Sequence, residues 1–313
     1  MARSCRARAG GFGTGANRDR MSAQPFSLRL RSGPLTIHLY TRIDTLSRLL
    51  RRMYGAAALD SPAQFADFHI GMARPRGPRR WLRPQVCFTL DAQSPFEPYP
   101  LEHALPLFEW GLNWCIGTTF PRQLMLHAGA LEKNGFGLLL PATPGAGKST
   151  LTAALCHRGW RLLSDEFGIV RHDDGQLLPM PRAIGLKNRS IAVIRDFAPD
   201  AFFGPVYPGT RKGDVAHLAP PAESLARQAE PATPRWVVFP RYAPGAQLQL
   251  KAEPPSVSFT RLANNAFNYQ ISGAQGFRTL VHLTESAMAY SLAYSKLDEA
   301  VAQMDRLAEG AQP

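Results

Sequence analysis

The chain has 313 residues, 45% of them hydrophobic and 19% charged, which excludes a largely disordered chain, a collagen-like rod and a coiled coil. Its length is about twice that of a typical single domain, so we expect one large α/β domain or a main domain with a smaller companion. No apolar run approaches the ~18 residues that a membrane-spanning helix requires, and no membrane partner is expected.

The formal charge of +12 at pH 7 would by itself suggest a polyanionic partner. Much of the excess lies in two short segments, because residues 1–20 carry five arginines and one aspartate, and residues 74–83 carry five arginines. Nucleic acid is therefore not expected as a partner. The Gly-rich leader 1–20 lacks the apolar segment of a secretory signal, and we expect it to be disordered or to precede the true start at Met21.

The four cysteines are widely spaced and form no C-x-x-C pair, which argues against a zinc ribbon or a disulfide framework. Together with the lack of a secretory segment, this predicts reduced thiols and a cytoplasmic protein.

Residues 21–110 read as a small α+β module. Apolar alternation around the Ser32-Gly33-Pro34 turn predicts a hairpin over residues 26–40, and helical spacing predicts a helix over 45–54. Short strands are predicted at 65–70 and 86–90. A helix is expected over 107–118, where Leu107, Trp110, Gly111 and Trp114 share one face.

Residues 111–313 alternate strand-like and helix-like segments. Strands at 124–132 and 136–140 flank an Asn-Gly turn, and a helix after the loop 141–147 is predicted to end at Gly159. The next strands are predicted at 161–164 and 168–171. This strand, loop, helix, strand order predicts an α/β fold with parallel pairing in its sheet. Further strands are expected at 236–239 and 248–251, and a helix at 297–307.

Residues 142–149, Ala-Thr-Pro-Gly-Ala-Gly-Lys-Ser, match the phosphate-loop pattern G-x-x-x-x-G-K-[ST] except that Ala142 replaces the first glycine. Backbone N–H groups at such a helix start form an anion nest. The nucleotide-binding residues expected here are Gly145, Ala146, Gly147, Lys148, Ser149 and Thr150. In this pattern the lysine reaches the β- and γ-phosphates and the serine hydroxyl binds Mg²⁺.

Acidic residues follow the loop by one helix length. Asp165 and Glu166 end the strand predicted at 161–164, where a carboxylate would meet the Mg²⁺ held by Ser149. The alternative is an Asp-Glu surface turn. His127 lies in an apolar strand upstream, where a histidine is usually a satisfied core residue, with a catalytic role as the alternative. Lys187, Arg189, Lys212 and His217 are candidates to clamp a transferring phosphate, the alternative for each being a solvated loop residue.

These segments together carry a resemblance to a known family. The resembling stretches are His127-Ala-Gly-Ala-Leu, Ala142 to Thr150, Arg158-Gly-Trp-Arg-Leu-Leu, Ser164-Asp-Glu, Glu109-Trp-Gly-Leu-Asn-Trp, Leu186-Lys-Asn-Arg-Ser, Lys212-Gly-Asp-Val-Ala-His-Leu, Val238-Phe-Pro-Arg-Tyr and Asn264-Asn-Ala-Phe-Asn-Tyr. The first four of these stretches resemble the catalytic core of HPr kinase/phosphorylase, and all of them together resemble more closely the HPr-kinase-related kinase A family. The resemblance spans roughly residues 26–310.

The resemblance implies a P-loop kinase domain of the HPr kinase and phosphoenolpyruvate carboxykinase type. Carried over, Lys148 and Ser149 bind phosphates and Mg²⁺, Asp165 is the base or an Mg²⁺ ligand, and His127 assists at the nucleophile. Glu166 stands where HPr kinases have a second aspartate, and the chain lacks a counterpart to the loop associated with phosphorolysis. The resemblance thus implies kinase activity and leaves both phosphorylase activity and HPr as acceptor open.

We therefore expect Mg²⁺-assisted phosphoryl transfer from ATP to a hydroxyl, of the serine-kinase type, with catalytic residues His127, Lys148, Asp165 and Glu166 and metal ligands Ser149 and Asp165. The acceptor is a protein or a small molecule, and homo-oligomerisation is left open. The alternative function is a nucleotide-binding switch or scaffold that transfers no phosphate.

Overall fold

The structure is a computed structural model that describes residues 26–59, 65–76, 83–119 and 122–310. The leader 1–20 and the central part of the arginine-rich run lie outside these ranges. The chain is mixed α/β and divides into two compact units, one of residues 1–31 and 35–115 and the other of residues 32–34 and 116–313. In the described ranges, none of the helices has the combination of length and hydropathy needed to cross a membrane.

The first unit is built on a sheet with strand order β1-β2-β3-β4-β5. Its strands are β1 (Phe26–Ser32), β2 (Leu35–Thr41), β3 (Phe68–Ala73), β4 (Gln85–Leu90) and β5 (Tyr99–Pro100), and its helices are α1 (Asp44–Tyr54) and most of α2 (Ala104–Thr119). The predicted hairpin and both predicted helices are confirmed. The strand predicted at 65–70 instead begins at Phe68, because pairing with β2 and β4 selects the register.

Alternation along these strands builds the core of the first unit. Leu39, Ile70 and Phe88 are fully buried on successive strands. The Phe88 ring packs where helix α2 carries Gly111, since a Cβ at Gly111 would lie 2.3 Å from that ring. Trp114, predicted on the same helical face as Gly111, is 40% exposed, so the apolar face of α2 is narrower than its sequence indicates.

The second unit contains an eight-stranded sheet in the order β10-β9-β6-β7-β14-β16-β15, with β8 also paired to β6. Its strands are β6 (Leu124–Lys133), β7 (Phe136–Pro141), β8 (Arg161–Ser164), β9 (Phe167–Val170), β10 (Leu177–Leu178), β14 (Thr233–Tyr242), β15 (Gln249–Ala252) and β16 (Met288–Tyr294). A separate three-stranded sheet has the order β11-β13-β12, from β11 (Ile184–Lys187), β12 (Tyr207–Thr210) and β13 (Gly213–Leu218).

The parallel pairing predicted for this sheet is present, but between different strands. β7 pairs in parallel with β14, and β14 with β16. β8 follows the helix after β7 yet pairs antiparallel with β6, so β6 separates β7 from β8. The predicted β6–β7 hairpin is confirmed, with Asn134 and Gly135 at φ 55° and 85°, values typical of its turn type.

Helices cover both faces of the large sheet. The helices of this unit are α3 (Lys148–Cys156), α4 (Arg189–Phe197), α5 (Ala222–Ala226), α6 (Pro255–Asn265), α7 (Tyr269–Ser286) and α8 (Leu297–Glu309). On β7, Leu138 and Leu140 pack with α3, α4 and α8, whereas Leu139 packs with α6 and α7. The two apolar cores therefore lie on opposite faces of one mixed sheet.

Candidate active site

The predicted phosphate loop connects β7 to α3. Gly145 and Gly147 have φ of 87° and 93°, in the left-handed region that glycine adopts without strain. Within the described ranges, the N–H groups of Gly145, Gly147, Lys148 and Ser149 donate to no other group. Unpaired N–H groups at a helix start, reinforced by the helix dipole, bind anions.

The remaining residues of the predicted nucleotide site lie beside this nest. Ala146 donates its N–H back to the Thr143 carbonyl oxygen at 3.2 Å, which closes the turn of the loop. Thr150 lies in the first turn of α3. The six predicted residues are consecutive and span the end of the loop and the first turn of α3.

Helix α3 is fixed at both ends, which holds its first turn at the edge of the sheet. Leu151, Ala154 and Leu155 are buried on the face predicted by their spacing. The Trp160 N–H bonds to the Leu155 carbonyl oxygen at 3.1 Å across Gly159, whose φ is 83°. This is the glycine-terminated helix end that the sequence predicts.

Two tyrosines from later strands contact the loop. β14 and β16 run parallel to β7, so their last residues, Tyr242 and Tyr294, reach the same edge as the loop. The Tyr242 N–H donates to the Ala146 carbonyl oxygen at 3.0 Å, and the Tyr294 hydroxyl to the Gly147 carbonyl oxygen at 3.4 Å. A Cβ at Gly147 would lie 2.5 Å from the Tyr294 hydroxyl oxygen, so this position requires glycine for space as well as for its φ.

Lys148 binds the acidic pair. Its Nζ lies 3.4 Å from Asp165 Oδ1 and 3.3 Å from Glu166 Oε2, and it also donates to the Asp165 carbonyl oxygen. Asp165 and Glu166 form the turn between β8 and β9, where the Ser164 hydroxyl accepts the Phe167 N–H at 3.0 Å. The sequence predicts the acidic pair at the tip of the strand after α3. In the structure this tip lies beside the loop lysine, Lys148.

The two carboxylates have pKa shifts of opposite direction. Burial raises the pKa of Asp165, and the positive charge of Lys148 offsets only part of that effect. Burial also acts on Glu166, but the hydrogen bond from His127 and the charge of Lys148 outweigh it and lower the Glu166 pKa. Burial would lower the pKa of Lys148, yet the two carboxylates raise it, so the lysine keeps its charge.

His127 joins this cluster from β6. Its Nε2 lies 3.7 Å from Glu166 Oε2, and 26% of its side chain is exposed. Register places it there, because His127 pairs with Phe167 across the β6–β9 ladder and the next residue, Ala128, pairs with Pro141 at the start of the loop. A satisfied core histidine would be more deeply buried and would have its partner in the core.

The predicted cationic residues lie near this cluster to different degrees. Lys187 is close enough that Lys148, Asp165 and Glu166 all affect its pKa, which is lowered first by burial and then by Lys212. His217 is buried, and burial followed by the charges of Arg182 and Lys187 lowers its pKa to about 3.

The residues present fit a magnesium ion that arrives with a nucleotide. In the described ranges, no group of three or more His, Cys, Asp and Glu side chains is arranged to hold a metal by itself. Mg²⁺ commonly takes one or two carboxylates together with substrate phosphates and water. Asp165 and Ser149 supply hard oxygen ligands, and the Ser149 hydroxyl is close enough to lower the Asp165 pKa.

Sequence reasoning assigned no role in the site to the two tyrosines or to Phe267, whose ring lies 5.5 Å from that of His127. Tyr242 and Phe267 lie in stretches that carry the family resemblance, but their place beside the cluster depends on strand order and on a loop between α6 and α7. Comparison of the sequence with models of protein families found no match, and comparison with curated proteins found none either.

Proposed function

We propose that this protein is a P-loop kinase that transfers the γ-phosphoryl group of ATP to a hydroxyl group, with Mg²⁺ as the metal. The observation that carries the proposal is the meeting of an unpaired N–H nest, a charged lysine and two carboxylates at one sheet edge. Phosphoryl transfer depends mainly on positioning and charge stabilisation, which is what such a cluster provides.

Each side chain has a role that follows from its contacts. The loop amides and Lys148 bind the phosphates of the donor. Ser149 and Asp165 hold Mg²⁺, which supplies charge neutralisation at the phosphates. Glu166, which is ionised at neutral pH, accepts the proton of the acceptor hydroxyl, and His127 orients Glu166.

Reaction in the cytoplasm, where ATP is available, is part of this proposal. The acceptor is a protein or small molecule with a free hydroxyl, and the serine-kinase class follows from the family resemblance alone. The chain's departure at Glu166 keeps HPr itself out of the proposal.

Calorimetric titration with Mg²⁺ and a non-hydrolysable ATP analogue tests the donor site. We expect saturable binding that Lys148→Met weakens about tenfold or more, because one charge-assisted contact is lost. Lys251→Met, at an exposed lysine of β15, is the matched control and should bind as the wild type does. Equal affinity in the Lys148→Met and wild-type proteins would remove the basis of the proposal.

Transfer of label from γ-labelled ATP to components of a cell lysate tests the reaction. Label that accumulates with the wild type but not with Lys148→Met supports a kinase. Saturable binding without transfer to protein or small-molecule fractions would favour the nucleotide-binding switch.

A further inference from the structure

A second cationic surface lies at one edge of the sheet β11-β13-β12. Lys187 ends β11, Lys212 lies in the turn between β12 and β13, and Arg189 begins α4. Because β13 is antiparallel to both neighbours, the end of β11 and the β12–β13 turn meet at the same edge. We call Lys187, Lys212 and the first turn of α4 the β11 edge.

The sheet register places Lys187 and His217 on one face. Leu186 and Ala216 are buried in the core on the opposite face. Lys187 pairs with Val215 and Gly185 with His217, so alternation places the side chains of Lys187 and His217 on the same face, and Gly185, directly opposite His217, carries no side chain there. Asp214 alternates to the other face, where its carboxylate accepts the Gly209 N–H at 3.1 Å.

His217 carries an unsatisfied nitrogen on that face. Its side chain is 3% exposed, and its Nδ1 has no hydrogen-bond partner among the described residues. Buried polar atoms are nearly always paired, so an unpaired one points to a missing ligand or water. His217 and Lys187 are diagonal neighbours across the β11–β13 pair, so the ring lies beside the β11 edge.

The β11 edge has donors that the described residues leave without acceptors. Lys187 forms no ion pair within those ranges, since the nearby Asp165 and Glu166 contact Lys148 instead. The N–H groups of Arg189 and Ser190, at the start of a nine-residue helix, also have no acceptor there. A helix start with unpaired N–H groups beside Lys187 and a buried ring nitrogen is an arrangement that favours an anion.

We propose that the β11 edge is a second anion site, which binds a carboxylate or phosphate group carried by the phosphoryl acceptor. The inference rests on the proposed kinase function, because β11 packs against α3, with Leu186 and Leu151 in one core, and α3 begins at Lys148 of the donor site. An anion held at this edge would fix the acceptor close to Glu166. The substrate class is thus a hydroxyl compound or side chain with an acidic group nearby.

Calorimetric titration of inorganic phosphate into protein saturated with Mg²⁺ and a non-hydrolysable ATP analogue tests the site, because the nucleotide fills the loop nest. At constant ionic strength we expect phosphate to bind, Lys187→Met to weaken it about tenfold, and Lys187→Arg to retain it. Each variant is kept saturated with nucleotide at its own measured affinity, so that the comparison reports phosphate binding at the β11 edge. Lys251→Met is the control, and acetate in place of phosphate distinguishes a carboxylate site from a phosphate site.

Phosphate binding that nucleotide abolishes, or that is unchanged in Lys187→Met, would overturn the second site and leave the kinase proposal intact. If the ATP analogue does not bind at all, the kinase proposal fails, and nucleotide-free Lys148→Met and Lys187→Met proteins are titrated instead. Phosphate binding lost only in Lys187→Met would then still support an anion site at the β11 edge, whereas loss only in Lys148→Met would overturn it.

Discussion

Asp165 and Glu166 are neighbours in sequence but lie in different surroundings. Asp165 is buried beside Lys148 and Ser149, whereas the Glu166 side chain is 36% exposed and extends between Lys148 and His127. The more buried carboxylate is therefore the one that accepts a hydrogen bond from the loop serine, and the more exposed one is open to solvent beside His127. This separation is the physical basis for assigning metal binding to one and proton transfer to the other.

The first prediction separates these two roles. His127→Ala and Glu166→Gln should slow transfer by ~10²- to 10⁴-fold, the usual range for general acid–base groups, with the Mg²⁺ requirement unchanged. Asp165→Asn should both slow transfer and raise the Mg²⁺ concentration needed for half-maximal rate. Single-turnover transfer measured across a Mg²⁺ series decides the matter. A wild-type rate in His127→Ala would show that His127 takes no part in the transfer.

The second prediction concerns stability and pH. The pKa of Glu166 is lower in the folded protein than its ordinary value of 4.5, so the unfolded chain binds more protons in this range and stability rises with pH. The contribution is present above about pH 4.5 and is lost as pH falls below it. Glu166→Gln should therefore lower the free energy of unfolding by about 1 kcal/mol near pH 7, a figure reduced because the side chain is partly exposed. Well below pH 4 the same substitution should have almost no effect on stability.

Urea unfolding at both pH values measures this difference, with Glu285→Gln, an exposed carboxylate of α7, as the control. A loss of stability in Glu166→Gln that stays constant with pH would mean that packing, rather than charge, explains the effect.

At the scale of elements, the loop between β7 and α3 depends on two glycines for different reasons. Both need a positive φ, but a Cβ at Gly145 meets nothing within 4 Å, whereas one at Gly147 meets the Tyr294 hydroxyl oxygen at 2.5 Å. The third prediction compares nucleotide affinity in two variants. Gly145→Ala should weaken binding only by its backbone strain, ~1–2 kcal/mol. Gly147→Ala carries the same strain and also displaces the loop, so it should weaken nucleotide binding further.

Adding Tyr294→Phe to Gly147→Ala removes the clashing oxygen and should recover part of the affinity. Calorimetric affinities of the three variants test this. If Gly145→Ala and Gly147→Ala lose nucleotide affinity equally, the contact with Tyr294 does not constrain the loop.

The local patterns of the sequence predict those elements that follow from neighbouring residues. The β6–β7 hairpin, helix α3 with its glycine end and the acidic pair are all of this kind. β16 was missed because its polar Ser291 interrupts the apolar pattern and its neighbours in the sheet, β14 and β15, are remote in sequence. The contact of Tyr294 with Gly147 depends on that pairing, so no reading of either segment alone reveals it. The three-stranded sheet was missed for a similar reason, since Gly185 and Gly213 weaken its strand signal.

At the scale of the whole molecule, the candidate site is confined to one unit. The nest, Lys148, the acidic pair, His127 and the β11 edge all lie in residues 116–313. The nest, the acidic pair, His127 and the two tyrosines are carried by β6, β7, β8, β14 and β16 of the large sheet, which helices cover on both faces, whereas the β11 edge belongs to the three-stranded sheet. The first unit has a core of its own, in which Leu39, Ile70 and Phe88 are fully buried.

This confinement leads to the last prediction, which compares two core truncations. Ile70 in β3 and Leu139 in β7 are both fully buried. Replacing either by alanine should lower the free energy of unfolding by ~2–5 kcal/mol, the usual range for such changes. A ligand that binds only the folded second unit stabilises that unit, by about 2.7 kcal/mol at a hundredfold excess over Kd. We expect the Mg²⁺-bound ATP analogue to raise the unfolding temperature of the transition lowered by Leu139→Ala and to leave the one lowered by Ile70→Ala unchanged. Scanning calorimetry with and without nucleotide gives the two unfolding temperatures. If nucleotide raises the unfolding temperature of the Ile70→Ala transition, or if that variant binds nucleotide tenfold more weakly, the first unit contributes to the site.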